Sequence, residues 1–309
     1  MSIPQVPFTG YMSYCLVRSL QMVMAYQGRE YPTGWLECVS GQPFGFNYVR
    51  GQDEAFAVNG YMYHLAGEHL LRTLNYDYTF TGADSAEEAL AALDAALRDG
   101  PVVAGMLDAG YLTYYPNHKA MLGADHAIVV LARHADAVIV HDPEGYVCVP
   151  LPIADFLEAW QRDIYTGKPY GLWRILGQGE PPDDEAVWNA TLARARENFV
   201  RTDERFDIGI SLLYGPAAMR TMAADLQDQP QLRLGRLPYF SWQVSAQRCI
   251  DSTLFLRQRL PEAAAIRWEE CRVYGELQQA SVNGRRSQVS ALLEELADYE
   301  TRFIAALAQ

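Results

Sequence analysis

A chain of 309 residues, half of them hydrophobic, has room for one large domain or two ordinary ones with buried cores. Its formal net charge of −13, with Lys119 and Lys168 as the only lysines, excludes the basic surface that nucleic acid requires. The same charge disfavours attraction to an anionic membrane, and no apolar run approaches the roughly 18 residues of a membrane span.

The N-terminal Met1-Ser-Ile-Pro-Gln-Val-Pro-Phe8 lacks the basic and apolar regions of a signal peptide, so a cytoplasmic protein is expected. Cys15, Cys38, Cys148, Cys249 and Cys271 are scattered, odd in number and never in a C-x-x-C pair. Neither a zinc site nor a disulfide framework is expected from them, and the thiols are read as reduced.

In chain order, an apolar stretch from Cys15 to Tyr26 predicts a helix over Tyr14–Gln27, stopped by Gly28. Gly41–Tyr48 is a glycine-aromatic turn without the spacing of a phosphate loop; Phe46 and Tyr48 are candidates there for contact with substrate. His64-Leu-Ala-Gly-Glu-His69 is one residue too long for an H-x-x-E-H metal motif, so no metal and no cofactor are expected. A helix over Ser85–Arg98 follows, with Ser85 as cap and Glu88 completing a capping box, ended by Gly100-Pro101.

Strands are predicted at Val102–Leu107, His126–Leu131, Ala137–Asp142, Tyr146–Val149 and Tyr170–Leu176, with a short helix at Ile153–Trp160. The loop Asp108–Pro116 between the first two carries Tyr111, Tyr114 and Tyr115. Gly177–Asp184 reads as a linker. Beyond it, helices are expected near 184–202, 216–226, 240–260 and 262–279. On a last helix Val289, Leu292, Leu293, Leu296, Tyr299, Phe303 and Leu307 keep three-and-four spacing. Two consecutive domains follow, 1–177 mixed and 178–309 mostly helical.

All six histidines lie at or before His141, which confines histidine chemistry to the first domain. A cysteine at the first turn of a helix meets unpaired N–H groups and the positive end of the helix dipole, and both favour the thiolate nucleophile. A buried apolar role for Cys15 is the competing reading. A tight turn near Arg133–Asp136 sets His126 opposite Asp142 on one face of a hairpin, within reach of a hydrogen bond. A carboxylate that fixes an imidazole tautomer accounts for such a pair, as does a satisfied structural pair. His134 at the turn and His141 on the other face are expected at the surface. His118 lies in the aromatic loop.

The order of Cys15, His126 and Asp142-Pro143, with Tyr26-Gln-Gly28, Gly41–Tyr48 and the Asp108–Tyr115 loop, resembles the N-terminal domain of butirosin biosynthesis protein H over most of residues 10–175. It is more distantly similar to the bacteriocin-processing cysteine peptidases. The resemblance implies an α+β, papain-like fold, an N-terminal helix packed on an antiparallel sheet, followed by a helical C-terminal domain. It implies an acyltransferase of secondary metabolism. Cys15 would take an acyl group as a thioester from an acyl carrier protein or coenzyme A and pass it to a small-molecule amine. His126 would act as base, oriented by Asp142. Phe46, Tyr48, Asp108, Tyr111 and Tyr114 are the candidates for substrate binding.

Thr9 stands where papain-like peptidases carry an oxyanion-hole glutamine, with Gln5 further off, so backbone N–H groups near Cys15 must supply part of that hole. Arg194, Arg196 and Arg201 on one predicted helix are candidates for docking an acidic carrier. A cysteine peptidase or amidohydrolase on the same triad, and a non-catalytic binding protein of the same fold, are the alternative readings. The assembly is left open, a homodimer included.

Overall fold

A computed structural model describes residues 13–60, 63–162, 168–205 and 209–308; the side chains of residues 63, 64 and 205 lie outside the description. The elements run α1 (Cys15–Tyr26), α2 (Thr33–Val39), β1 (Phe46–Arg50), β2 (Phe56–Asn59), α3 (Tyr63–Thr73), β3 (Tyr76–Thr81), α4 (Ala86–Leu97) and β4 (Val102–Asp108). There follow β5 (Asp125–Arg133), β6 (Ala137–Asp142), β7 (Tyr146–Pro152), α5 (Ile153–Trp160), β8 (Leu172–Gln178) and α6 (Asp184–Phe199). Next come β9 (Glu204–Arg205), β10 (Ser211–Tyr214), α7 (Gly215–Asp228), α8 (Trp242–Leu256), α9 (Pro261–Val282) and α10 (Arg286–Leu307). Helices and antiparallel sheets together make the α+β class expected.

The chain forms two compact units, one from residues 13–36 and 63–183, the other containing 37–62 and 184–309. A single cut after residue 177 therefore differs from the structure at 37–62, which joins the helical half. The physical reason is a set of long-range bonds within that half. β1 pairs antiparallel with β10, and β2 with β1. Arg248 Nε donates to Glu37 Oε1 at 2.8 Å, and Arg267 Nη2 to the Pro43 carbonyl at 3.0 Å. Asn198 Nδ2 donates to the carbonyls of Gly41 and Phe44. Nothing in a four- or five-residue apolar run announces a partner some 160 positions away.

In the first unit, six antiparallel strands lie in the order β3-β8-β4-β5-β6-β7. Leu16, Val17, Leu20, Val23 and Met24 bury one stripe of α1, which packs against β4 and β5. The helix ends where Gly28 takes a φ of +80°, a conformation that costs glycine little. Two side chains from the turn after Cys15 fasten it: Ser19 Oγ donates to the Ala127 carbonyl at 3.1 Å, and Arg18 Nη1 to the Pro143 carbonyl. At α4, Ser85 Oγ accepts from the Glu88 N–H while the Glu88 carboxylate accepts from the Asp84 N–H, close to the expected capping box.

The β5–β6 hairpin differs in register from its expectation. Val130 pairs with Val140 and Val129 with His141, and a bulge falls between Val130 and Ala132. The expected register set Val130 opposite Val138, two residues away. Because side chains alternate with period two, that slip preserves the face and turns His126 and Asp142 from direct into diagonal neighbours.

In the second unit, four strands in the order β2-β1-β10-β9 pack with α7, and α8, α9 and α10 pack on one another. Phe46, Tyr48, Met219, Met222, Trp242, Val273, Leu277, Leu293 and Leu296 belong to one core cluster. The face foreseen on α10 is buried at Val289, Leu292, Leu293, Leu296, Phe303 and Leu307, with Tyr299 partly buried. Among the described residues no helix is long and apolar enough to cross a membrane.

Candidate active site

Cys15 is the first residue of α1, and no side chain caps that helix end. The first N–H groups of a helix have no partner within it, so they point toward the region of the sulfur. Cys15 is 7% exposed. His126, one residue into β5, is buried and sits between two partners. Its Nε2 lies 2.9 Å from Asp142 Oδ1, and Cys15 is near enough to act on the imidazole's protonation. Asp142 ends β6. The first unit alone thus supplies all three.

Asp142 is held by four donors. Oδ1 takes His126 Nε2 and the Glu144 N–H at 2.7 Å; Oδ2 takes the hydroxyls of Tyr114 at 2.7 Å and Tyr115 at 2.9 Å. Both tyrosines come from the loop after β4, whose fold Asp108 organises: its Oδ1 accepts from the N–H groups of Gly110 and Gly123. Gly110 is required there, because a Cβ on it would lie 2.6 Å from Leu122. His118 Nδ1, 2.7 Å from the Gly110 carbonyl, braces the same loop. The rings of Tyr114 and Tyr115 stack at 5.1 Å, and Tyr146 packs against both.

The electrostatics follow from these contacts. Burial lowers the proton affinity of His126, but the charge and hydrogen bond of Asp142, with the bond to Cys15, outweigh it and push the imidazole up to about 10. Burial raises Asp142, yet the charge and bond of His126, then Tyr114 and the Glu144 N–H, bring it below the ordinary carboxylate range. Burial raises the phenols of Tyr114 and Tyr115, and the Asp142 charge raises them further, so both stay neutral donors.

Burial pushes the Cys38 and Cys249 thiols well up and that of Cys271 up to about 11, while Cys148 is exposed.

The structure brings Cys15, His126 and Asp142 together and distributes the five substrate-binding candidates differently. Phe46 and Tyr48 belong to the core of the second unit, where the Tyr48 hydroxyl donates to Asp225 at 3.0 Å. Asp108 spends its carboxylate on its own loop. Tyr114 faces Asp142, and Tyr111 is partly buried with the Arg162 guanidinium 4.6 Å over its ring.

Gln5 and Thr9 lie outside the described residues, as does the His64 side chain; His69 Nε2 lies 3.4 Å from the Thr73 hydroxyl. Among the described residues, no group of three or more His, Cys, Asp or Glu could hold a metal ion. Arg194 pairs with Glu197, Arg196 donates to the Leu307 carbonyl, and Arg201 lies over the Tyr214 ring, so all three have partners within their own unit.

Sequence reasoning did not single out the hydroxyl of Tyr115, the Glu144 N–H, or the fastening roles of Arg18 and Ser19. The only signal available was the neighbourhood of Cys15 and Asp142 in the chain.

Two family models match the chain: butirosin biosynthesis protein H, N-terminal, over residues 14–143, and the YobF C-terminal domain over residues 210–308. Cys15, His126 and Asp142 all fall within the first match. A curated relative, the uncharacterized protein YobF of Bacillus subtilis (strain 168), is 30% identical over 214 residues, which cover 67% of each chain.

Proposed function

This chain belongs to the family that joins a butirosin biosynthesis protein H N-terminal region to a YobF C-terminal domain, and from that membership we propose that it is a cysteine-dependent acyltransferase. The observation that carries the proposal is His126, bonded to Asp142 and near enough to Cys15 for that residue to act on its protonation. A nucleophile, a base and a group that orients the base are the parts acyl transfer requires.

In the first half-reaction, the proton of the Cys15–His126 pair already sits on His126, and the sulfur attacks the carbonyl carbon of an acyl thioester. The tetrahedral oxyanion draws on the unpaired N–H groups at the start of α1. Its collapse breaks the bond to the donor sulfur, which leaves as a thiol with the proton from His126. In the second half-reaction, an amine attacks the Cys15 thioester and gives its proton to His126. Collapse then releases the amide and frees the Cys15 sulfur, with the proton left on His126 as at the start. Asp142 stays ionised throughout and holds the imidazole in place.

The donor is a thioester on a carrier protein or coenzyme A, and the acceptor is a small amine, matching the biosynthetic role that the family's name gives its founding member. The relevant compartment is the cytoplasm, where such thioesters are made. If water replaced the amine, the same steps would release the free acid, the outcome of a hydrolase.

Intact-mass spectrometry tests the reading. After incubation with a panel of acyl thioesters, the wild-type chain should gain the mass of one acyl group, and Cys15→Ser should gain none. Equal labelling of both proteins, or of neither, would overturn the proposal. Release of free acid at the same rate with and without an amine would replace transfer by hydrolysis.

A further inference from the structure

We propose that Tyr114 and Tyr115 are positioning residues of this site: a pair of neutral hydroxyls that occupy one oxygen of Asp142 and thereby fix the carboxylate on which His126 depends. The inference rests on the reading of Cys15, His126 and Asp142 as a catalytic group, and it reassigns Tyr114 from substrate to scaffold.

The geometry is specific. Consecutive side chains usually diverge, yet these two rings stack and send both hydroxyls to Asp142 Oδ2, at 2.7 and 2.9 Å. Tyr115 is buried, its hydroxyl lies 3.4 Å from His126 Nε2, and its ring meets the imidazole edge-on. The remaining oxygen, Oδ1, is shared by His126 and the Glu144 N–H. A carboxylate has about four acceptor positions, and here all are filled.

A carboxylate so held can neither rotate away from the imidazole nor take up a proton without breaking strong, charge-assisted bonds. The two phenols donate and do not titrate, because the burial and the adjacent Asp142 charge that raise them persist at any pH the fold survives. Three bonds in turn fix the loop that presents them: those of Asp108 to the Gly110 and Gly123 N–H groups, and that of His118 to the Gly110 carbonyl. The brace is thus built from the strand end outward and needs no ligand to form.

The test reads His126 directly. In the full chain labelled with 15N-histidine, the His126 signals, assigned by their loss in His126→Asn, should show a doubly protonated ring up to about pH 10. In Tyr114→Phe/Tyr115→Phe, which leaves the stacked rings in place, the midpoint should fall measurably, because a carboxylate no longer held against the imidazole raises it less. Each single variant should give part of that shift and decides the matter if the double variant does not fold. Tyr146→Phe, which keeps the aromatic packing and touches no Asp142 oxygen, should leave the midpoint unchanged.

In an Asp142→Asn background the two Tyr→Phe changes should add nothing, whereas a role in packing alone would be additive. A His126 midpoint unchanged in folded Tyr→Phe variants would overturn the brace. If the midpoint moves while no acyl thioester labels Cys15, the brace stands and the acyltransferase reading fails.

Discussion

Each unit buries charge, and the two handle it in opposite ways. In the first unit, the buried carboxylate Asp142 is met by four donors, all in place, and remains ionised. In the second, Arg267 is fully buried with Glu270 and Glu300 bonded to a single nitrogen and with the Phe303 ring against its guanidinium. Glu270 Oε1, Glu300 Oε1 and the Tyr274 hydroxyl have no conventional hydrogen-bond partner. Burial pushes Glu270 well above the ordinary carboxylate range, Arg267 pulls it down, and the Glu300 charge raises it further. One site lowers a buried carboxyl by supplying donors; the other leaves a carboxyl raised by burial that one cation does not offset. The difference fits the first as the proposed catalytic group and the second as a fastener.

The largest expected effect would break the first half of that contrast. Asp142→Asn keeps the shape and removes the charge, leaving the His126 imidazolium without its counter-ion. Acyl transfer should fall by about 10³–10⁴-fold, the range seen when a triad carboxylate is neutralised. The measurement is the rate of amide formation, or of Cys15 acylation if the acceptor is unidentified. A rate within threefold of wild type would show that the four-donor arrangement serves only packing.

Next in size is Arg267→Met, aimed at the second unit. It leaves two carboxyl groups, no cation and the Pro43 carbonyl without its donor. Removing one partner of a buried ion pair typically costs 3–5 kcal/mol, which a denaturant titration of the full chain would register. The replacement of all three residues by apolar side chains of similar volume should cost far less, because no charge is then stranded. If Arg267→Met were as stable as wild type, the cluster would not be a fastener.

The parts of the fold that could be read from the chain are those governed by short-range pattern. The stripe on α10, the cap at Ser85 and the stop at Gly28 all lie within a turn or two of the residues that determine them. The His126–Asp142 pair was legible because a hairpin is local and because its two-residue slip conserves parity. What could not be read depends on distant partners. Tyr48 sits in an aromatic turn that suits a substrate loop, and only its pairing across β10 and its bond to Asp225 place it in a core. Asp108 and Tyr114 stand in the right neighbourhood, but their roles turn on which atoms they face. Three tyrosines in five residues cannot by themselves distinguish a pocket wall from a brace.

The smallest expected effect sharpens the comparison by adding a carboxyl that lies between its two cases. Glu144 is half-buried, its N–H is spent on Asp142, and among the described residues its carboxylate accepts no bond from any donor. Without donors or a paired cation, burial alone acts on it and pushes it up to about 7. A group raised above its unfolded value contributes stability in full below the unfolded value, near 4.5, and loses that contribution as pH rises through about 7. His126 behaves alike at higher pH: its contribution is complete below about 6.5 and disappears through about 10. The unfolding midpoint of the wild type should therefore fall in two steps as pH rises, the first between about 4.5 and 7 and the second between about 6.5 and 10. Glu144→Gln should remove the first step and leave the second, with a gain at pH 8 below about 1 kcal/mol because the group is partly exposed. Thermal unfolding followed from pH 5 to 10 separates the steps. A variant that still loses stability between about pH 4.5 and 6.5 as the wild type does would assign that step elsewhere, and the ordering of the three carboxyls by their donors would fail at its middle member.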